Sequence, residues 1–232
     1  VLTLVIGNKN YSSWSMRPWL ILRALNIPFE EVMLKFHSAE WDAKIAHYSP
    51  SKLVPVLWDG EVGGGDSICV WESNAIYEYL AERFPDRHVW PPGAKARAYA
   101  RAIVAEMHAG FRPLRTAMPM NIRARFPGLG MNDDVAKNIA RIEALWKEAR
   151  ERFGQPSGSG PFLFGAFSAA DAMFAPVVMR FMTYSPTLSS DTESYCAAVR
   201  AHPSVVAWQT DALAETEFVA EDEPYVGTFI KN

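Results

Sequence analysis

Cysteine is scarce in this chain: 232 residues carry two, Cys69 and Cys196. So few exclude a disulfide-built scaffold and fit a reducing, cytosolic setting. Long hydrophobic runs are missing too. The most apolar stretches, "VLTLVI" at the start and "AMFAPVVM" at 172–179, fall far short of the ~20 residues that span a bilayer. The opening run lacks a basic flank and a small-residue cleavage site, so neither a leader nor a membrane partner is expected. There is no basic excess. A net charge of −3 argues against a nucleic-acid partner. The histidines, at 37, 47, 88, 108 and 202, show no metal-ligand spacing with cysteine or carboxylates, so no metal site is expected. The glycines of "VGGGDS" lead to a strand, and no Gly-Lys-Ser/Thr follows, which excludes a phosphate cradle. No Gly-x-Ser-x-Gly nucleophile turn occurs.

What is present is an ordinary globular composition, 49% hydrophobic and 21% charged, long enough for one large domain or two small ones. The first part alternates strand and helix patterns. Leu2 to Ile6 and Phe29 to Leu34 read as strands around a helix from Met16 to Leu25. "AEWDAKIAHY" has the pattern of a short helix. "VPVLWDG" and "SICVW" form a hairpin. "SNAIYEYLAERFP" is a helix with Ser73 as its N-cap and Pro85 beyond its end. The order implies one parallel strand pair with a right-handed crossover, then an antiparallel return.

Beyond "FPDRHVWPPG", a turn-rich linker, strand patterns nearly vanish. Helix candidates are 94–112, 133–153, 168–184, 194–202 and 204–214, with "GQPSGSGPFLFG" as a flexible loop. The candidate at 168–184 is apolar on most faces and reads as central and buried. The expected division is an α/β domain at 1–85, a linker at 86–93 and an all-helical domain at 94–232.

Chemistry concentrates in "NYSSWSMRPW", Asn10 to Trp19, between the first strand and first helix. Unpaired N–H groups and the helix dipole make such a turn attractive to an anion. A thiolate is one such anion. A serine hydroxyl donating to it contributes roughly 1.5–3 kcal/mol, and the helix terminus about 0.3–2 kcal/mol. Together these lower a thiol pKa from ~8.5 toward neutrality. Serine does this without forming a mixed disulfide.

The chain as a whole resembles a cytosolic glutathione S-transferase, and its first turn is similar to that of the zeta class, Ser-Ser-Cys followed by arginine. Here it stands as Ser12-Ser13-Trp14-Ser15-Met16-Arg17. The resemblance implies a thioredoxin-like α/β N-terminal domain, an all-α C-terminal domain, glutathione as co-substrate and a homodimer. It places the thiolate-stabilising hydroxyl on Ser12, with Ser13 next in line. Trp14 occupies the zeta cysteine position, which counts against maleylacetoacetate isomerase activity and against disulfide chemistry.

Two further motifs carry the resemblance. "SPSKLVP" matches Asn-Pro-x-x-x-Val-Pro, which implies a cis Pro55, with Val54 offering its backbone to the cysteinyl part of glutathione and Lys52 and Leu53 beside it. "ESNAI" matches acidic-Ser-x-Ala-Ile, which implies Glu72 on the glutathione α-ammonium and Ser73 on its α-carboxylate. "SAAD" matches the family's capping box, so Asp171 belongs to folding.

His108, Phe111, Arg112 and Arg115 fall at i, i+3, i+4 and i+7, one face of a helix suited to a planar or anionic second substrate, with Trp14 as the opposite wall. Interdomain or subunit salt bridges are the competing use of those arginines. Met118 to Met131 is a candidate cap for the same pocket. The expected function is conjugation of the glutathione thiolate to a small electrophile. The alternatives are glutathione-dependent isomerisation or ether cleavage, and a non-catalytic scaffold that has kept the fold.

Overall fold

A computed structural model describes residues 1–227; the last five residues of the expected helical domain, 228–232, lie outside the described residues. Four strands form one sheet: β1 (Leu2–Ile6), β2 (Phe29–Met33), β3 (Val56–Asp59) and β4 (Ile68–Trp71), in the order β2-β1-β3-β4. β1 runs parallel to β2 and antiparallel to β3, and β3 pairs antiparallel with β4. This is the parallel pair and hairpin expected from the element order.

β1 is buried along its whole length, because both of its faces are covered. Alternation along the strand sends Leu2, Leu4 and Ile6 into a large core shared with α1 (Ser13–Ala24) and α3 (Ser73–Arg83). Val5 faces a smaller core with Val56, Trp58 and Ile45, the last from α2 (Ala39–Tyr48).

The remaining helices are α4 (Ala94–Ala109), α5 (Arg112–Ala117), α6 (Asp133–Ala149), α7 (Gln155–Ser157), α8 (Ala169–Tyr184), α9 (Ser190–Ala201) and α10 (Pro203–Ala214). α8 is buried on nearly every side and packs on α1 and α4. Its start carries the expected capping box: Asp171 accepts from Ser168 N and Oγ, from Leu163 N and from Tyr195 OH, at 3.0–3.1 Å.

Several expectations need correction. α1 begins at Ser13 rather than Met16, because Ser12 caps it by accepting from Ser15 N. Ser73 is not the N-cap of α3. Glu72 holds that position, with φ of 70° and no side-chain cap bond, and Ser73 is the first helical residue. The expected helix over 94–112 breaks after Ala109. Pro113 has no N–H for the Ala109 carbonyl, Phe111 turns left-handed with φ of 57°, and a Cβ on Gly110 would sit 2.8 Å from the Glu106 carbonyl. His108, on α4, is therefore separated from Arg112 and Arg115, on α5. The "GQPSGSGPFLFG" loop is built rather than slack: Leu163 and Phe164 are buried, and short bridges pair Phe162 with Gly165 and Phe164 with Ala166. In the segment expected as a linker, Val89 and Trp90 are buried in the large core.

Candidate functional site

The loop from β1 to α1 is held by the helical region. Lys9 N and Asn10 N donate to the Glu215 carboxylate at 2.6 and 3.0 Å. Trp208 Nε1 donates to Lys9 O at 2.9 Å. The Asn10 side chain bridges to Asn121 Oδ1 and accepts from Arg123 N, both at 2.9 Å. Lys9 Nζ is buried between Glu31 and Asp211, over the rings of Trp19 and Trp208. Arg123 also grips the carbonyls of Glu215 and Glu217.

The serines that follow are not equivalent. Ser12 Oγ donates to Ser15 Oγ at 2.7 Å and accepts from Ser15 N at 3.3 Å, while Ser15 Oγ accepts from Gly7 N at 3.0 Å. The Ser12 proton is thus already engaged in the local turn. Ser13 Oγ accepts a 3.4 Å bond from Arg180 Nη2, and its own proton has no acceptor among the described residues.

Trp14 divides two adjoining clefts. The smaller, about 270 Å³, is lined by Trp14, Ser51, Leu53, Val54, Pro55 and Glu72. The Val54–Pro55 peptide is cis, as the resemblance implied. The larger, about 440 Å³, brings Ser12, Ser13 and Trp14 together with Arg112 and Arg115 of α5 and Arg180 of α8; Leu53 and Val54 line it as well. The Trp14 ring lies over Arg17 at 4.0 Å and near Arg115 at 4.9 Å, with His108 edge-on at 5.1 Å.

Glu72 projects from the start of α3 into the smaller cleft, 56% exposed, with His108 Nε2 at 3.5 Å. A non-glycine residue at positive φ is uncommon and clusters at ligand sites. Burial holds the His108 imidazole below its ordinary pKa, opposed by Glu72 and reinforced by Arg17 and Arg115. Ser73 Oγ is buried without a partner among the described residues, at a helix start that lacks a side-chain cap. That combination fits a carboxylate.

Other expected residues sit elsewhere. Lys52 is exposed and lines neither cleft. Phe111 is buried in the large core, because the left-handed turn points it inward from the break between α4 and α5. His108 reaches the site through Glu72 and Trp14 and not through a shared helix face with the arginines. Of the segment Met118 to Met131, Pro119 and Met120 reach the larger cleft.

The sequence reading missed Tyr11, Arg180 and Asp222, which also line the larger cleft. Tyr11 OH donates to Glu223 Oε1 at 2.6 Å, tying the first turn to the C-terminal segment. Arg180 lay hidden in a helix read only as core. Arg17, noted as part of the first-turn pattern, is fully buried. Burial pushes its guanidinium down to about 9, and its Nε donates to Met173 O at 3.2 Å. Among the described residues no His, Cys, Asp and Glu group could hold a metal, and no helix is long and apolar enough to cross a membrane.

Comparison with known proteins fits this arrangement. Models of the glutathione S-transferase N-terminal and C-terminal domains match residues 11–83 and 131–208. A probable maleylacetoacetate isomerase of Caenorhabditis elegans is 30% identical over 145 residues, 60% of this chain and 64% of that protein. Glutathione S-transferase GstB of Escherichia coli is 30% identical over 98 residues, 42% of this chain and 45% of that protein. The chain thus spans less than two thirds of the length of either relative. Among solved structures, a Burkholderia glutathione transferase homolog with bound glutathione superposes with a TM-score of 0.63 at 23% identity, covering 92% of this chain and 99% of its own. A Trametes versicolor glutathione transferase Omega 2S superposes with a TM-score of 0.66 at 21% identity, covering 90% and 93%. At such identities these structures speak for the fold, a small sheet domain followed by a helical one. The chain belongs to the glutathione S-transferase family.

Proposed function

We propose that this protein is a glutathione transferase, in which glutathione lies in the smaller cleft and its sulfur points past Trp14 toward Ser13. One observation carries the reading: the Ser12-Ser13 turn, Val54 before its cis proline and the uncapped start of α3 with Glu72 converge on adjoining clefts. Glu72 pairs with the α-ammonium of glutathione, and Ser73 Oγ with the α3 N–H groups takes the α-carboxylate. The Val54 backbone meets the cysteinyl unit.

The free proton of Ser13 favours it over Ser12 as the donor to sulfur; Ser12 holds the turn in shape. The thiolate lone pair then forms a bond to an electrophilic carbon of a molecule seated in the larger cleft. Catalysis comes from orientation and from preorganised donors. A homodimer in the cytosol follows from the resemblance; the exposed Ile68 and Trp71 on edge strand β4 and the unpaired Cys69 and Cys196 are compatible with it.

The relative named a probable maleylacetoacetate isomerase supports a second reading, glutathione-dependent isomerisation. Trp14 in the cysteine position weighs against it. The test is calorimetric binding of glutathione together with the ultraviolet thiolate band of the complex titrated against pH. Binding with a midpoint below that of free glutathione supports the transferase reading. Absence of binding rejects it in favour of a scaffold.

A further inference from the structure

The larger cleft is lined by three arginines that form no ion pair among the described residues. They are Arg112, Arg115 and Arg180. Four arginines elsewhere pair with carboxylates, Arg83 with Asp59, Arg101 with Glu78, Arg141 with Glu106 and Arg152 with Glu148, while others, such as Arg17, Arg97 and Arg123, donate to backbone carbonyls.

Arg180 is the telling one. It is 4% exposed; its Nε donates to Met118 O at 2.8 Å and its Nη2 reaches Ser13 Oγ at 3.4 Å. Its Nη1 is buried with no partner among the described residues. Arg115, half-buried, uses Nη1 on the carbonyls of His108 and Gly110, both at 3.3 Å. Neither residue is held by a network that explains a guanidinium there, and an unpaired buried charge is costly.

Among the described residues, Asp222 is the one acidic side chain lining the cleft. It lies beyond ion-pairing distance of these arginines, and burial pushes its carboxyl up to about 6, which Arg180 opposes. Above that pH it carries a charge that offsets part of the positive wall, one carboxylate against three guanidinium groups. The α-carboxylate of glutathione does not account for the arginines either, because it is assigned to Ser73, next to Glu72 of the smaller cleft.

We propose that the second substrate carries a carboxylate, held by Arg180 and Arg115 beside Ser13. The proposal rests on the glutathione reading above and adds the acceptor's chemical class to it. A guanidinium presents paired donors that match a carboxylate. Because Arg180 also touches Ser13, a carboxylate bound there lies close to the reacting sulfur, which suits a compact acceptor such as a substituted benzoate or a short unsaturated acid.

The test separates the acceptor charge from turnover. Glutathione attacks 4-chloro-3-nitrobenzoate through sulfur and chloride leaves with the bonding pair, giving S-(4-carboxy-2-nitrophenyl)glutathione. The benzoate methyl ester gives the same conjugate without the charge. Binding of both to the full-length protein is measured by calorimetry at pH 7.5.

The acid conjugate is expected to bind at least about tenfold tighter, the scale of one hydrogen bond to a charged group. Arg180→Gln and Arg115→Gln are each expected to erase most of that difference. Should Arg180→Gln fail to fold, the half-buried Arg115→Gln still decides. Equal affinity of acid and ester in the wild type, with glutathione bound, overturns the inference and leaves the glutathione reading standing. If glutathione itself does not bind, the glutathione reading fails first and the inference falls with it.

Discussion

Replacing Ser12 or Ser13 by alanine separates the two jobs proposed for adjacent hydroxyls. Ser12 caps α1: it accepts from Ser15 N and donates to Ser15 Oγ. Losing such a cap costs about 1 kcal/mol, which at this chain length lowers the melting temperature by roughly 2–4 °C. Ser13 accepts one long bond from Arg180, so Ser13→Ala should leave the melting temperature within about 1 °C of wild type, as expected for a change of less than 0.5 kcal/mol. The effect on the thiol runs the other way. A hydroxyl donating to a thiolate contributes roughly 1.5–3 kcal/mol, and each pKa unit is about 1.4 kcal/mol. Ser13→Ala should therefore raise the thiol midpoint of bound glutathione by about 1–2 units, with a smaller rise in Ser12→Ala. Ultraviolet titration of the thiolate band gives the midpoint, and differential scanning calorimetry gives the melting temperature. If Ser12→Ala raises the midpoint by a full unit while Ser13→Ala leaves it in place, the assignment drawn from the engaged Ser12 proton is wrong.

Glu72→Gln removes the carboxylate proposed to face the ligand ammonium and should weaken glutathione binding by about tenfold or more; unchanged affinity by calorimetry would place the ammonium elsewhere. Asp171→Ala strips the acceptor from Leu163 N, Ser168 N and Tyr195 OH, all buried. At ~1–3 kcal/mol for each orphaned donor the loss approaches the whole stability of a domain, so urea unfolding should show a collapsed midpoint. Asp222, its carboxyl raised to about 6, faces Arg180, Glu221, Glu223 and His37. Below that pH it is neutral and above it repels an anion, so affinity for the acid conjugate should fall as pH rises through about 6. Asp222→Asn should flatten that inflection in calorimetric titrations.

The sheet domain was legible because strand patterns, an Asp-Gly turn and three short motifs lie close together in sequence. Val54-Pro55, Glu72 and the serine turn could be read for the same reason. Arg180 could not, since its neighbours along α8 are apolar and its partners, Met118 O and Ser13 Oγ, lie 62 and 167 residues away. The break at Gly110–Phe111 was missed because helical spacing continues across it. Pro113 lacks the N–H that would carry the helix on, and a left-handed Phe111 before it turns the chain so that Phe111 enters the core while Arg112 and Arg115 line the cleft. Ser73 as a cap was the default for a serine before an apolar run, and the positive φ of Glu72 leaves no trace in sequence.

The grip on the first loop bears on how the molecule can be taken apart. A fragment ending near residue 85 would retain all four strands and the three helices around them. It would lose Asn121, Arg123, Trp208, Asp211 and Glu215, the groups that hold Lys9 and Asn10. Lys9 would keep Glu31 alone as its counter-charge. Such a fragment is a scaffold with its serine turn unmoored. Grafting the serine turn onto another thioredoxin-like protein would meet the same obstacle: the shape of the turn is a property of the joined halves.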